Sequence, residues 1–255
     1  MEKFKLKRIW VEESLLKGVA IRIISKEKVH HLNVVLRIRL GESVRLFNQT
    51  DGEWTGRVLE KDNRVVVIEI VEQLRAPESE HMLGKVTIAF APIKLDRLRF
   101  LIEKCTEIGA DEFIPVITER TVVRGIKSSK LHAYTVGAAE QSERLSVPRF
   151  QEPVSLENFL KTQTTSSVLF CNERSDCGFI SKAMLKLSNN SQIIILIGPE
   201  GGFTPKEQAK LTFYKNVHSI SLGDNVLRSE TAAIFALSCV KLCRAGRNNG
   251  AVEKT

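Results

Sequence analysis

The sequence predicts an α/β protein with two unequal domains, a small β domain followed by a larger domain built on a parallel sheet. Three observations predict it. The chain has 255 residues, which is more than one average domain. Residues 1–75 consist mostly of short strand-like runs, and beyond them strands alternate with helices. We therefore expect one domain at 1–75 and a second at 76–255.

The N-terminal domain is predicted from three runs of β-branched or alternating residues, at 44–47, 54–59 and 65–71. Polar turn residues separate these runs. A small barrel or sandwich is the natural way to close such short strands. The segment 75–80 is polar, contains a proline and has no hydrophobic period, so we place the domain boundary there.

The C-terminal domain is predicted from apolar strands that alternate with amphipathic helices. Apolar residues recur with a helical period over Leu95–Ile108, and Gly109 ends this helix. Continuous apolar strands between helices indicate a parallel sheet covered on both faces. The other predicted strands are 86–91, 113–117, 168–171, 192–197 and 217–222, and the other helices are 128–145, 177–187, 204–215 and 229–244.

Positive charge is concentrated near the N-terminus. The chain carries a formal charge of +8, and residues 1–45 carry eleven Lys and Arg against five Glu, a net of +6. A basic segment on a nearly neutral body indicates a polyanionic partner, most commonly nucleic acid. A solvated basic face explains the charge equally well, so charge alone leaves both interpretations open.

The five cysteines predict free thiols. Their count is odd, and neither a Cys-x-x-Cys pair nor a neighbouring histidine completes a zinc site. We therefore expect no metal and a reducing, cytoplasmic location. Residues 1–8 lack the start of a signal peptide, and the longest apolar run, Ile193–Ile197, is too short to span a membrane.

A glycine-rich loop follows the strand predicted at 192–197. Thr204, Pro205 and Glu207 form a strong helix start, with an N-cap, a proline in the first turn and a capping box. No Gly-Lys-Ser/Thr follows, so the loop is not a P-loop. A tight connection without a ligand is one interpretation. The other is close approach of a ligand to the backbone at Gly198, Gly201 and Gly202.

A second unusual segment, 219–231, follows the last predicted strand. Val226 and Leu227 are apolar where a simple connection would be polar, and Arg228 and Glu230 flank Ser229, the expected N-cap of the next helix. Because ligands bind at the carboxyl ends of parallel strands, we interpret this segment as the wall of a pocket for an uncharged ligand body. A packed loop with a surface ion pair is the alternative.

The two loops taken together are specific enough to indicate one protein family. Gly-Pro-Glu-Gly-Gly-Phe at 198–203, followed by Leu-Gly-x-x-Val-Leu-Arg-x-Glu-Thr-Ala at 222–232, resembles the C-terminal signature of the RsmE family. Two positions, Cys105 and Glu143, depart from the family pattern, and both lie outside that signature. Further family-like motifs extend the resemblance over nearly the whole chain, at 30–41, 103–109, 114–120, 139–144 and 147–148.

The resemblance implies a PUA-like, RNA-binding N-terminal barrel and a SPOUT-class methyltransferase domain whose last segment forms a deep trefoil knot. It also implies a homodimer, without contact with a membrane, that transfers a methyl group from S-adenosylmethionine to N3 of a uridine in 16S (small-subunit) ribosomal RNA. Carried over by position, the cofactor-binding residues would be Phe170, Ile197, Gly198, Gly202, Leu222, Gly223, Val226 and Leu227.

Methylation of N3 requires a group that stabilises the developing uridinate and a group that takes the imide proton. We expect Arg228 to be the cation, with Glu200 or Glu230 orienting it or acting as base. An Arg228–Glu230 pair that only fixes the loop is an equally good interpretation. The adjacent His30 and His31 could act as bases, but we expect them to begin a helix in a structural role.

For RNA binding we expect phosphate contacts from Arg8, Arg37 and Arg39, with Arg144 and Arg124 as second choices. Two other classes of protein stay open. A ribosome-assembly protein without catalysis would explain the charge but not the two loops. A nucleotide- or NAD-dependent enzyme would need a phosphate cradle that these glycines do not form.

Overall fold

The computed structural model describes residues 6–77, 84–123, 125, 128–172, 177–189 and 191–252. The chain divides into two compact units. The first comprises Met1–Glu80 and Ala139–Val147, and the second comprises His81–Ala138 and Pro148–Thr255. Nothing in the sequence indicates that residues 139–147 belong with the N-terminal residues. The domain ranges 1–75 and 76–255 therefore stay a prediction.

The first unit is built on a five-stranded sheet. Its strands are β1 (Arg8–Trp10), β2 (Ala20–Ile23), β3 (Ser43–Asn48), β4 (Gly52–Lys61) and β5 (Val66–Arg75), in the order β1-β3-β4-β5-β2. The β1–β3 pair is parallel and the others are antiparallel. Buried aliphatic side chains from all five strands form the core. The three predicted strands are present, whereas β1 and β2 are too short to show a hydrophobic period.

A helical segment lies between β2 and β3. Helix α1 (Lys26–His30) continues directly into a π-helical turn, His31–Val35. His30 therefore ends a helix, and the expectation that the two histidines begin one is wrong. Val29 and Leu32 are buried and anchor the segment to the core of the first unit. A π-helical turn often marks a functional site.

Three arginines surround the fully buried carboxylate of Glu53. The N–O distances are 2.8 Å from Arg8 and 3.3 Å from Arg45 to Oε1, and 2.5 Å from Arg75 to Oε2. A buried carboxylate needs such partners because it has lost its hydration. Arg8 also donates to the carbonyl oxygens at positions 139 and 144, at 2.6 and 2.5 Å. These bonds explain why residues 139–147 belong to the first unit.

The second unit is built on a parallel sheet with the strand order β12-β10-β11-β6-β7-β8, and β9 also pairs with β7. Its strands are β6 (Val86–Phe90), β7 (Glu112–Ile117), β8 (Arg149–Phe150), β9 (Val154–Ser155), β10 (Ser167–Cys171), β11 (Ile193–Ile197) and β12 (Val217–Ile220). Its helices are α2 (Leu95–Ile108), α3 (Ser128–Gln141), α4 (Leu156–Thr162), α5 (Ile180–Lys186), α6 (Pro205–Phe213) and α7 (Ser229–Val252). The last residues of α3 are grouped with the first unit.

Both faces of this sheet are covered, as predicted. The side chains of β11 alternate between two core clusters, with Ile193 and Ile195 in one and Ile194 and Leu196 in the other. A strand buried on both faces is apolar at every position, and this explains the continuous apolar run. The α/β class with a parallel sheet is thereby confirmed.

Several helix boundaries depart from the predictions, and the sequence did not predict α4. Helix α2 has the predicted bounds, and Gly109 adopts a φ of 107° at its C-terminus. Helix α3 ends at Gln141, earlier than predicted, and Glu143 then adopts a left-handed φ of 59°. Helix α7 continues to Val252, beyond the predicted end at 244. None of the described helices combines the length and apolar character that a membrane span requires.

Candidate active site

A pocket lies where three neighbouring strands of the second unit end. Because β10 lies between β12 and β11, the loops after these three strands meet at one edge of the sheet. The pocket encloses about 790 Å³ of space, including its open mouth. Its described walls are formed by Arg120, Cys171, Asn172, Ile197, Gly198, Pro199, Gly201, Gly202, Phe203, Gln208, Leu222, Gly223, Asn225, Leu227, Ser229 and Ala232.

The loop after β11 packs an aromatic ring against bare backbone. A Cβ on Gly198 would lie 2.7 Å from Cε2 of Phe203, closer than real Cβ atoms come. Phe203 is itself buried and packs edge-on against Phe170, with 5.1 Å between the ring centroids. Gly202 adopts a φ of 67°, which favours glycine. The shape of this loop therefore requires at least two of its glycines.

The loop ends at the predicted capping box of α6. The Thr204 N–H donates to the Glu207 carboxylate at 2.8 Å, and the Glu207 N–H donates to the Thr204 hydroxyl at 3.3 Å. The second Glu207 carboxylate oxygen accepts the N–H of Glu119 at 2.8 Å. One side chain thus caps the helix and also fixes the loop after β7.

The other wall of the pocket leads into α7. The helix starts at Ser229, and its first intrahelical bond runs from the Ala232 N–H to the Arg228 carbonyl at 2.8 Å. The Ser229 hydroxyl donates to the carbonyl of Gly198 at 3.0 Å. The prediction of Ser229 as N-cap is therefore wrong, because its hydroxyl joins the two pocket loops instead.

Most of the residues predicted to bind a cofactor line this pocket. Two do not: Phe170 is buried behind Phe203, and Val226 is 71% exposed outside the wall. Their neighbours Cys171 and Asn225 line the pocket instead. The six that do are Ile197, Gly198, Gly202, Leu222, Gly223 and Leu227.

The sequence interpretation missed Arg120. Its side chain lines the pocket, and its Nη1 donates to the carbonyl oxygen of Gly201 at 2.7 Å. Arg120 follows β7, so the rule that functional residues lie at strand ends could have found it.

The chemistry of the walls suits a ligand with an uncharged ring system and polar ends. Ile197, Leu222 and Leu227 provide apolar surface, and the glycines expose backbone. Asn172 and Gln208 are among the polar side chains of the wall, and none of its described lining residues is acidic. These residues would suit S-adenosylmethionine, which combines an uncharged adenosine with a polar amino-acid end.

The two predicted catalytic carboxylates contact a different arginine from the one expected. Nη1 of Arg97, on α2, donates to Oε1 of Glu200, and its Nε lies 4.0 Å from Oε1 of Glu230. Arg228 is exposed and makes no ion pair with a described residue. The expected pairing of Arg228 with these carboxylates is thus not observed.

The pocket thiol is not a nucleophile. Burial raises the pKa of Cys171, and the neighbouring Cys177 raises it further. The thiol therefore stays protonated near neutral pH, and a protonated thiol is a poor nucleophile. No group of three or more His, Cys, Asp and Glu in the described part of the chain could hold a metal ion.

Two of the predicted RNA-binding arginines are accessible in the first unit. Arg37 is exposed and adopts a φ of 50°, which is uncommon outside glycine. Arg39 is also exposed, and its backbone N–H donates to Glu42 at 2.7 Å. Both arginines follow the π-helical turn, so the two predicted RNA contacts lie at the same place in the first unit.

The other predicted RNA contacts are less accessible. Arg8 is 6% exposed and is engaged by Glu53 and two carbonyls, so its guanidinium is not available for phosphate. This corrects the expectation for Arg8. Arg144 is half-buried and donates to Ser146 at 3.0 Å. Arg124 lies outside the described residues.

Comparison with known families matches both units of the chain. Residues 79–241 match the model of an RNA methyltransferase domain. Residues 24–71 match the model of an RNA methyltransferase PUA domain.

Relatives of known sequence and structure extend the match to nearly the full length. The chain is 36% identical to ribosomal RNA small subunit methyltransferase E of Rickettsia conorii, over 93% of this chain and 96% of the relative. It is 32% identical to the Bacillus subtilis protein of the same name, over 85% and 88%. A Neisseria gonorrhoeae structure of this enzyme bound to S-adenosylmethionine matches with a TM-score of 0.79 and 26% identity, over 93% and 97%. A putative methyltransferase from Legionella pneumophila with the same cofactor matches with a TM-score of 0.81 and 28% identity, over 93% and 97%.

Proposed function

The chain belongs to the family of ribosomal RNA small subunit methyltransferase E, and from this premise we propose that it methylates N3 of a uridine in 16S ribosomal RNA. It is an S-adenosylmethionine-dependent RNA methyltransferase with a PUA-like first unit. One observation carries the assignment of the site: the family's two signature loops meet in one pocket at the ends of β10, β11 and β12.

S-adenosylmethionine supplies the electrophilic methyl group in this reaction. Residues of the two pocket loops would hold this donor, and orientation of the two reactants would supply much of the rate. The new bond between N3 and the methyl carbon would form as the S–CH3 bond breaks, with S-adenosylhomocysteine as the leaving group and the imide proton passed to a base. Arg228 stabilises the negative charge that develops on the base, since it is exposed between the lining residues Leu227 and Ser229.

For the proton acceptor we propose Glu200 before Glu230. The Glu200 side chain is 49% exposed, whereas that of Glu230 is 11% exposed at the start of α7. An accessible carboxylate can receive the proton and pass it to solvent. Glu230 then has an indirect role, because it contacts Arg97, and Arg97 also contacts Glu200.

We propose that the N-terminal domain binds the RNA backbone through Arg37 and Arg39, with Arg144 as a secondary contact. Exposure of Arg37 and Arg39 beside the π-helical turn supports this role. Phosphate contacts from these arginines would position the RNA without reading its sequence. Arg8 is left out because Glu53 engages it.

We further propose a cytoplasmic homodimer whose two pocket loops belong to a trefoil knot. Apolar side chains exposed on α6 and α7 support a second copy as partner, notably Phe213 at 85% and Leu242 at 75%. Light scattering of the purified protein tests the dimer. A monomer at micromolar concentration would contradict it.

The decisive experiment for the activity is incubation of the protein with unmethylated small-subunit RNA or the small subunit itself. S-adenosylmethionine is added, and the nucleosides are analysed by mass spectrometry. We expect 3-methyluridine. Methylation at another atom would overturn the assignment to N3, and absence of any methyl group on both substrates would favour the non-catalytic alternative.

A thermal shift separates the remaining classes. S-adenosylmethionine should raise the melting temperature, because a ligand that binds only the folded state stabilises it. NAD and ATP should not. A shift with NAD or ATP alone would favour a nucleotide-dependent enzyme.

A further inference from the structure

One arginine outside both signature loops contacts a carboxylate in each of them. Arg97 lies on α2, Glu200 lies on the loop after β11, and Glu230 lies in the first turn of α7. The Arg97 guanidinium donates to Glu200 through Nη1, and its Nε is 4.0 Å from Glu230. A single side chain thus bridges the two walls of the pocket from outside.

The accessibility of these groups indicates a local role. The side chains of Arg97 and Glu200 are 37% and 49% exposed, and an ion pair in such contact with solvent adds little to global stability. Glu230 differs, because its side chain is 11% exposed and its Oε2 has no hydrogen-bond partner among the described residues. Its position in the first turn of α7 favours the negative charge, and the Nε of Arg97 lies 4.0 Å away.

Arg228 makes no ion pair with a residue that the structure describes. Glu230 lies two residues from Arg228, and Glu200 belongs to the facing loop, yet both carboxylates contact Arg97. Without Arg97, each carboxylate would be free to pair with Arg228, the basic residue of the two signature loops. Neutralised in this way, Arg228 would no longer be available to a developing negative charge.

We propose that Arg97 is a positioning residue for methyl transfer. It holds the glycine-rich loop against the start of α7, and it engages Glu200 and Glu230 so that Arg228 stays uncompensated. This role rests on the proposed function, since it gives Arg228 its task in that reaction. Arg97 itself lies outside the pocket wall.

The test compares Arg97→Met with Arg97→Lys. Methionine keeps much of the length and removes the charge. We expect Arg97→Met to lower kcat for rRNA methylation by about tenfold to a hundredfold, the range in which displacement or loss of a supporting group acts. The affinity for S-adenosylmethionine should fall less, and the melting temperature should change little. Arg97→Lys, which keeps the charge, should recover part of kcat.

Arg99 provides the matched control. It is exposed on the same helix and donates to Glu103 at 2.7 Å, away from the pocket residues. Arg99→Met should therefore leave kcat and cofactor affinity unchanged. Wild-type kcat in Arg97→Met would overturn the proposal. So would a fall in melting temperature that parallels the loss of activity and is not reversed in Arg97→Lys, because that pattern belongs to a merely structural residue.

The readouts also separate this inference from the proposed function. If the wild-type protein binds S-adenosylmethionine but methylates no uridine, the proposed function fails. Cofactor affinity measured by calorimetry then still reports on Arg97, because the two loops it bridges form the pocket. An unchanged affinity in Arg97→Met would in that case overturn the bridging role as well.

Discussion

The aromatic ring of Phe203 lies over Gly198, five residues earlier on the same loop, so closely that a Cβ at position 198 would come within 2.7 Å of it. Both residues line the pocket. Phe170 also packs against this buried ring, so the ring has little room to move. The width of the pocket at this point is therefore set by the absence of a side chain.

Replacing Gly198 by Ala should weaken cofactor binding strongly. The added methyl must displace a buried ring, and overpacking of this kind costs about 1–3 kcal/mol. We expect the Kd for S-adenosylmethionine, measured by calorimetry, to rise by about tenfold or more. Gly246→Ala, on α7 where nothing lies within 4 Å of an added Cβ, is the control and should bind normally. Equal affinities of the two variants would show that the loop adapts.

Replacing Arg228 by Ala should separate catalysis from cofactor binding. Loss of one preorganised donor to a developing charge lowers kcat by about a hundredfold or more. The Kd for S-adenosylmethionine should stay near the wild-type value, because the Arg228 side chain is exposed and is not among the described lining residues. A tritium-transfer assay and calorimetry measure the two quantities. Losses of equal size in kcat and in cofactor affinity would instead indicate that Arg228 only fixes the loop.

Replacing Arg37 by Gln should weaken RNA binding in a salt-dependent way. Removal of one phosphate contact lowers the slope of log K against log salt by about one. Binding isotherms at several salt concentrations give this slope. Arg149→Gln, an exposed arginine on β8 of the second unit, is the control. A slope that Arg37→Gln leaves unchanged would remove Arg37 from the RNA interface.

Replacing Glu53 by Gln should destabilise the protein. It would leave Arg8 and Arg45 buried without their carboxylate, and breaking a buried ion pair costs about 3–5 kcal/mol. The free energy of unfolding in urea measures the effect. Glu60→Gln, at an exposed position of β4, should change it little. Comparable values for both variants would mean that the Glu53 cluster contributes nothing net.

Replacing Glu140 by Gln should stabilise the protein at neutral pH. Burial raises the pKa of Glu140, although the N–H of Trp10 and the charges of Arg8 and Lys28 oppose the shift. A raised pKa means that the folded state favours the protonated acid. The carboxyl group therefore destabilises the fold least below its ordinary pKa of 4.5. It lowers the free energy of unfolding as the pH rises through the pKa of the folded state.

The difference in unfolding free energy between Glu140→Gln and the wild type should accordingly be largest near pH 7 and shrink toward pH 4. Chemical denaturation across that range measures it. The Gln side-chain oxygen can still accept the Trp10 N–H, so this bond is kept. A difference that does not vary with pH would contradict the raised pKa.

Features that depend on neighbouring residues could be predicted from the sequence. The period of α2 and its ending at Gly109 are local patterns, and the capping box of Thr204 and Glu207 needs only three residues of spacing. The pocket loops were also recognisable, because both follow apolar strands of one parallel sheet.

Features that depend on partners far along the chain could not be predicted. Arg97 and Glu200 are 103 positions apart, and no periodic pattern connects them. The burial of Arg8 could not be predicted for the same reason. A basic segment does not indicate which of its arginines will pair with Glu53 in the interior. A positive residue in a sequence is equally compatible with a phosphate contact and with a buried counter-ion.

The strand order has a consequence for how the protein is made. The pocket needs Cys171 from β10 and Ala232 from α7, and β12 must cross past β10 to reach its place at the edge of the sheet. Synthesis runs from the N-terminus, so the walls of the pocket are incomplete until position 232 has been translated. A nascent chain that has not yet reached α7 therefore lacks one wall of its cofactor pocket, even when β10 and β11 are already present.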